Sequence, residues 1–174
     1  MKISAKKLAI MAVLTSAALI IFVIEAQIPL PLPVPGAKLG LANAVTLFAL
    51  FHGHSKERGA TVLTTGNAFA ILICRIILGA IFTGRIVAFL YSAVGGLLGF
   101  AAQSIMKRFV SGKQIWACGA VGAMFHNIGQ ILAAMLITGT PAIAAYLPVL
   151  VIAGVITGVI TGLIAQFTLS RVRF

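Results

Sequence analysis

One arginine, Arg75, stands inside the apolar run "ILICRIILGAIF", in a chain with no aspartate and only two glutamates, Glu25 and Glu57. Few other polar groups interrupt the apolar segments. Lys38 and Asn43 flank "LGLA", Asn67 and Tyr91 lie in later runs, and "FHNIGQ" contributes His126, Asn127 and Gln130. On a helix His126 and Gln130, four apart, share a face, and Asn127 is one step round from it. A fixed cation with amide and imidazole partners in a low-dielectric setting can recognise an anionic or strongly polar solute. No catalytic residue is expected among them. Arg75 has only Glu25, Glu57 and the C-terminus as conceivable carboxylate partners. With Glu57 and the C-terminus on the opposite membrane side, either Glu25 or an anionic ligand meets it. For the asparagines and the glutamine a plainer role is open, since interhelical hydrogen bonds of about 0.6 kcal/mol need no ligand.

The elements that position these groups follow from composition. The chain has 174 residues, of which 61% are hydrophobic and 9% charged, with a mean hydropathy of +1.15. A soluble domain of this size cannot hide so much apolar surface, so the solvent is mostly lipid. The net charge of +11 does not indicate nucleic-acid binding. Its basic residues lie in short clusters between apolar runs, as in a polytopic membrane protein.

A bilayer core of about 30 Å needs about 20 apolar residues per crossing helix. On that basis the chain is all-α, a single integral membrane domain over 1–174, with six helices near 8–24, 39–54, 59–82, 85–106, 115–137 and 142–169. One set of alternating ends carries Lys2, Lys6, Lys7, Lys56, Arg58, Lys107, Arg108, Lys113, Arg171 and Arg173, and the other carries Lys38 and Arg85. That bias places both termini in the cytoplasm. It also places the stretch with Pro29, Pro31, Pro33 and Pro35 outside. Alternating prolines favour stiff, extended backbone. The segment is either a rigid connector or a lid over an outward-facing pocket beneath which Asn43, Arg75 and His126 converge.

The N-terminal apolar run, Leu8 to Ile24, is longer than a signal-peptide core and lacks a small-x-small cleavage site, so a retained helix is expected. Cys74 and Cys118 lie in apolar segments and read as packing residues. No metal-ligand spacing and no phosphate-binding loop is found, so neither metal nor cofactor is expected. "GVITGVITG" sets Gly154, Gly158 and Gly162 at four-residue intervals, a flat face for close helix packing. Ala12 and Ser16 form a weaker version in the first helix.

The strings "PGAKLGLAN", "CRIILGAIFTG" and "FHNIGQ" together resemble the bacterial Gx transporter family, also labelled heptaprenyl diphosphate synthase component I, over nearly the whole chain. That family in turn resembles the S-components of energy-coupling factor (ECF) transporters. Those are six-helix proteins that hold a small molecule under an outer loop and dock on a coupling subunit driven by two ATPases. The resemblance implies that Lys38, Asn43, Arg75, His126, Asn127 and Gln130 belong to the family signature, and that a coupling subunit and ATPases are candidate partners. The enzyme label meets a chemical objection. Prenyl diphosphate synthases hold magnesium with clustered carboxylates, which a chain without aspartate cannot supply. The expected function is therefore a substrate-binding transport subunit for a small anionic or polar solute. The alternative is a membrane accessory subunit of isoprenoid or quinone synthesis.

Overall fold

The computed structural model describes residues 4–28, 40–52, 63–84 and 86–172. Among them helix is the only regular structure: α1 (Ala5–Glu25), α2 (Asn43–His52), α3 (Thr65–Thr83), α4 (Ile86–Met106), α5 (Ile115–Thr138) and α6 (Leu147–Arg171). A 3-10 segment, Pro141–Tyr146, leads into α6. Five segments are long and apolar enough to cross a membrane: α1, α3, α4, α5 and Pro141–Arg171. Side chains that a soluble protein would bury face outward, with Phe82 70% and Leu136 83% exposed. This is the polytopic helical membrane protein that composition implies.

The second helix departs from the expected span over 39–54. α2 has 10 residues, about 15 Å of helix, or half of a bilayer core. The reason lies at its start. Gly40 adopts a left-handed φ of 79°, and the turn it begins delays the helix to Asn43. A side chain at Gly40 would also collide with Asn43, whose Nδ2 lies 2.8 Å from where a Cβ would stand. Every α2 side chain from Thr46 to His52 is buried, so protein rather than lipid surrounds this short helix.

α3 begins later than expected, and the cause is local. Thr64 and Asn67 form a reciprocal capping box, with Asn67 Oδ1 accepting from the Thr64 amide at 2.9 Å. Such a cap contributes about 1 kcal/mol. Asn67 therefore serves the helix end and is not an interior polar group. Residues 59–62, and the proline segment expected to form a connector or lid, lie outside the described residues.

Two packing regimes build the bundle. α4, α5 and α6 touch backbone to backbone through glycines: a Cβ on Gly129 would sit 2.7 Å from Gly95 Cα, and one on Gly158 would sit 2.6 Å from the Gly119 carbonyl. Close approach of this kind gains dispersion along the whole crossing. The expected glycine face of α6 is the face packed on α5, since Gly154 meets Asn127 and Gly162 meets Trp116. α1 and α3 instead meet through Phe22, whose ring lies against Gly79. Ala12 and Ser16 point away from the bundle. Cys118 is buried as expected, whereas Cys74 is exposed.

Antiparallel packing gathers the charges. Ile115 at the start of α5 donates to Gln166 near the end of α6, and Lys107 after α4 reaches Leu50 near the end of α2. Asn67 at the start of α3 reaches Met11 of α1. The helix ends bearing Lys6, Lys7, Lys107, Arg108, Lys113 and Arg171 therefore share one side of the bundle.

Candidate functional site

A polar cluster forms where α1 ends, α2 begins and α3 and α5 pass through mid-helix. Arg75, the largest fully buried side chain among the described residues at 2% exposure, sits at the middle of α3. Its Nη2 donates to Asn43 Oδ1 at 3.2 Å, and its guanidinium lies over the Phe22 ring, 6.0 Å from the centroid. Arg75 Nε has no hydrogen-bond partner among the described residues. Phe22 and Glu25 are one turn apart on α1 and both are buried, so a single face of α1 covers the arginine.

Glu25 answers part of the question raised by a lone intramembrane arginine. Its carboxylate does not hydrogen-bond Arg75 among the described residues. Oε1 accepts from the Gly40 amide at 2.5 Å and Oε2 from the Leu41 amide at 3.1 Å, at the turn that opens α2. An anion there complements the positive end of the helix. Glu25 also attracts Arg75 electrostatically, so it balances the cation while directly bonded to backbone.

α5 supplies the far wall. His126 Nε2 and Gln130 Nε2 lie 3.0 Å apart, the shared face expected from their spacing. Both are buried. A Cβ on Gly40 would come within 3.6 Å of His126 Cδ2, so the imidazole lies beside the Gly40 turn. Gly95 and Gly99 of α4 make room for it: a Cβ on either would press on the His126 backbone or side chain. Between α2, α3 and α4, a gap lined by Asn43, Thr46, Leu72, Gly96, Gly99, Phe100 and Gln103 is too narrow for a water molecule.

The structure thus brings together four of the six residues singled out in the sequence: Asn43, Arg75, His126 and Gln130. Asn127 stands apart. Its Nδ2 donates to the Leu150 carbonyl at 2.5 Å and faces Gly154 of α6, so it ties α5 to α6. Lys38 lies outside the described residues, as does Arg85. Tyr91 is buried in an apolar cluster with Ile131, Ala134 and Leu150. Sequence reasoning passed over Gly40, Thr46 and Gln103. Thr46 is buried with no partner for its hydroxyl among the described residues, and Gln103 is 4% exposed. Both are polar residues in apolar runs, the same signal that singled out Asn43.

The opposite end of α2 is also held by charge. Lys107 Nζ donates to the Leu50 carbonyl at 2.6 Å and lies over the Phe51 ring. Burial holds this ammonium below the usual lysine range. The short helix therefore runs from a carboxylate at its N-terminus to an ammonium at its C-terminus, both favourable to its dipole.

Compared with known proteins, residues 14–168 match the family model described as heptaprenyl diphosphate synthase component I. No curated protein and no solved structure matches the chain.

Proposed function

The chain belongs to the heptaprenyl diphosphate synthase component I family, and on that premise we propose that it is a non-catalytic membrane subunit that binds an anionic or strongly polar solute at Arg75. The observation that carries this is a fully buried arginine whose Nε has no partner among the described residues, grouped with Asn43, His126 and Gln130. Intramembrane polar clusters usually mark solute or ion pathways. Lys38 adds positive charge in this reading. Asn127 supports the site only indirectly, by fixing α5.

The family description favours an accessory role in isoprenoid or quinone synthesis. In that role the subunit binds a prenyl diphosphate through its basic groups and a separate, carboxylate-rich component supplies the chemistry. This chain has two acidic residues in all and cannot build a magnesium–diphosphate site alone. A second reading, a solute-binding transport subunit similar to ECF S-components, draws support from the buried cluster and from α2. Short helices with ends at membrane depth characterise the binding sites of transporters.

Gentle extraction and affinity purification separate the two. Co-purification of a soluble aspartate-rich synthase supports the accessory role, and co-purification of ATPases with a coupling subunit supports transport. In either case Arg75→Gln should abolish solute binding, measured by native mass spectrometry, while leaving the protein folded. Retained binding would overturn the site.

The collected basic helix ends support cytoplasmic termini in a cell membrane. Cysteine labelling should then reach position 32 only from outside and position 111 only from inside.

A further inference from the structure

The carboxylate at the opening turn of α2 belongs to the protein, yet it lies where an external anion would be held. Gly40 and Leu41, in the turn that precedes α2, point two amides at it, and successive amides of a turn form an anion-binding concavity. Arg75, 2% exposed and with Nε unpartnered among the described residues, reaches the same turn through Asn43. Glu25 supplies negative charge there, and it attracts the arginine without a hydrogen bond to it among the described residues. No water fits beside Asn43 and Thr46.

We infer that Glu25 is an internal stand-in for the ligand: its carboxylate occupies an anion subsite made by the Gly40 and Leu41 amides beside Arg75, and a carboxylate- or phosphate-bearing solute binds by displacing it. This rests on the reading that Arg75 serves a solute. The two anions exclude each other, because like charges at contact in a medium of low dielectric repel strongly. Displacement is local. Glu25 is the last residue of α1, so withdrawing it requires movement of one helix turn. Asn43 and Arg75 are then left to receive the incoming group.

The test uses the full chain in nanodiscs, with inorganic phosphate and inorganic diphosphate as probes in titration calorimetry. Glu25→Gln removes the competing charge and should bind diphosphate about tenfold tighter than the unaltered protein, or more. Adding Arg75→Gln should abolish the gain. A folded Glu25→Gln protein with unchanged or weaker binding overturns the inference. If that variant does not fold, Glu25→Asp keeps the charge but shortens its reach to the amides. It should also tighten binding, and no gain in that variant overturns the inference equally. A gain that survives Arg75→Gln instead overturns the Arg75 reading and leaves displacement of Glu25 standing. Loss of binding in Arg75→Gln with no gain in Glu25→Gln does the reverse.

Discussion

The α4–α5–α6 slab and the α1–α2–α3 side of the bundle solve the same problem in opposite ways. Both must hold helices together in lipid, where apolar contact with a neighbour gains little over contact with acyl chains. The slab relies on shape. Gly95 against Gly129 and Gly119 against Gly158 let backbones meet, and Asn127 adds one hydrogen bond across α5 and α6. The other side relies on charge: Glu25 at one end of α2, Lys107 at the other, and Arg75 beside its first residue. Shape makes a rigid unit with a single arrangement. In the proposed function a solute's charge replaces one of these, so the charged side is the side that would respond to it.

The comparison breaks first at the slab. Gly158→Leu would drive a side chain into the Gly119 carbonyl and Ala120 backbone. Overpacking at such a crossing should cost about 3 kcal/mol or more. The yield of monodisperse protein in detergent should fall sharply, and a normal melting temperature would show that the slab is not held by close approach.

On the charged side, replacement should tell differently on stability and on binding. Arg75→Met fills a similar volume without charge. Replacing both members of a buried charge pair with uncharged groups is often neutral or stabilising, whereas removing one member alone costs about 3–5 kcal/mol. Arg75→Met combined with Glu25→Gln should therefore melt within about 1 kcal/mol of the unaltered protein while losing solute binding, and Arg75→Met alone should melt lower. A large loss of stability in the double variant would make Arg75 structural. Lys107→Met should cost about 1 kcal/mol by exposing the end of α2. Faster hydrogen exchange at residues 48–52, with little change in α5 and α6, would confirm that the effect is confined to the short helix.

The smallest effect sharpens the boundary between the regions. Asn127→Ala removes one interhelical hydrogen bond and should cost about 0.6 kcal/mol, read as a small drop in melting temperature. Solute affinity should stay as it was. A tenfold loss of affinity, about 1.4 kcal/mol, would move Asn127 from the slab into the site.

Much of this was legible in the residues. Asn43, Arg75, His126 and Gln130 declared themselves because a polar group in an apolar run is costly wherever it lies. Asn127 carried the same signal but faces α6, and a one-residue step round α5 cannot reveal which neighbour it meets. Hydropathy alone starts α3 too early and so makes Asn67 an interior group, whereas it caps the helix. The threonine three residues before it is the capping signal that places the helix end. The expected second span was too long because Gly40's left-handed turn, not the end of hydropathy, sets where α2 begins.

The sequence by itself determined the solvent, the helical class, the run of apolar segments and the short roll of polar groups within them. These depend on local composition, since transfer of a side chain to lipid has nearly the same cost whatever its distant neighbours. Only the tertiary structure decided that Glu25 meets the amides of Gly40 and Leu41, that Lys107 closes the far end of α2, and that Arg75 bonds Asn43. Each contact joins residues from 15 to 57 positions apart. Such partners are chosen by which helix packs across from which, and the glycine surfaces that set this packing act through shape, which no local pattern of hydropathy records.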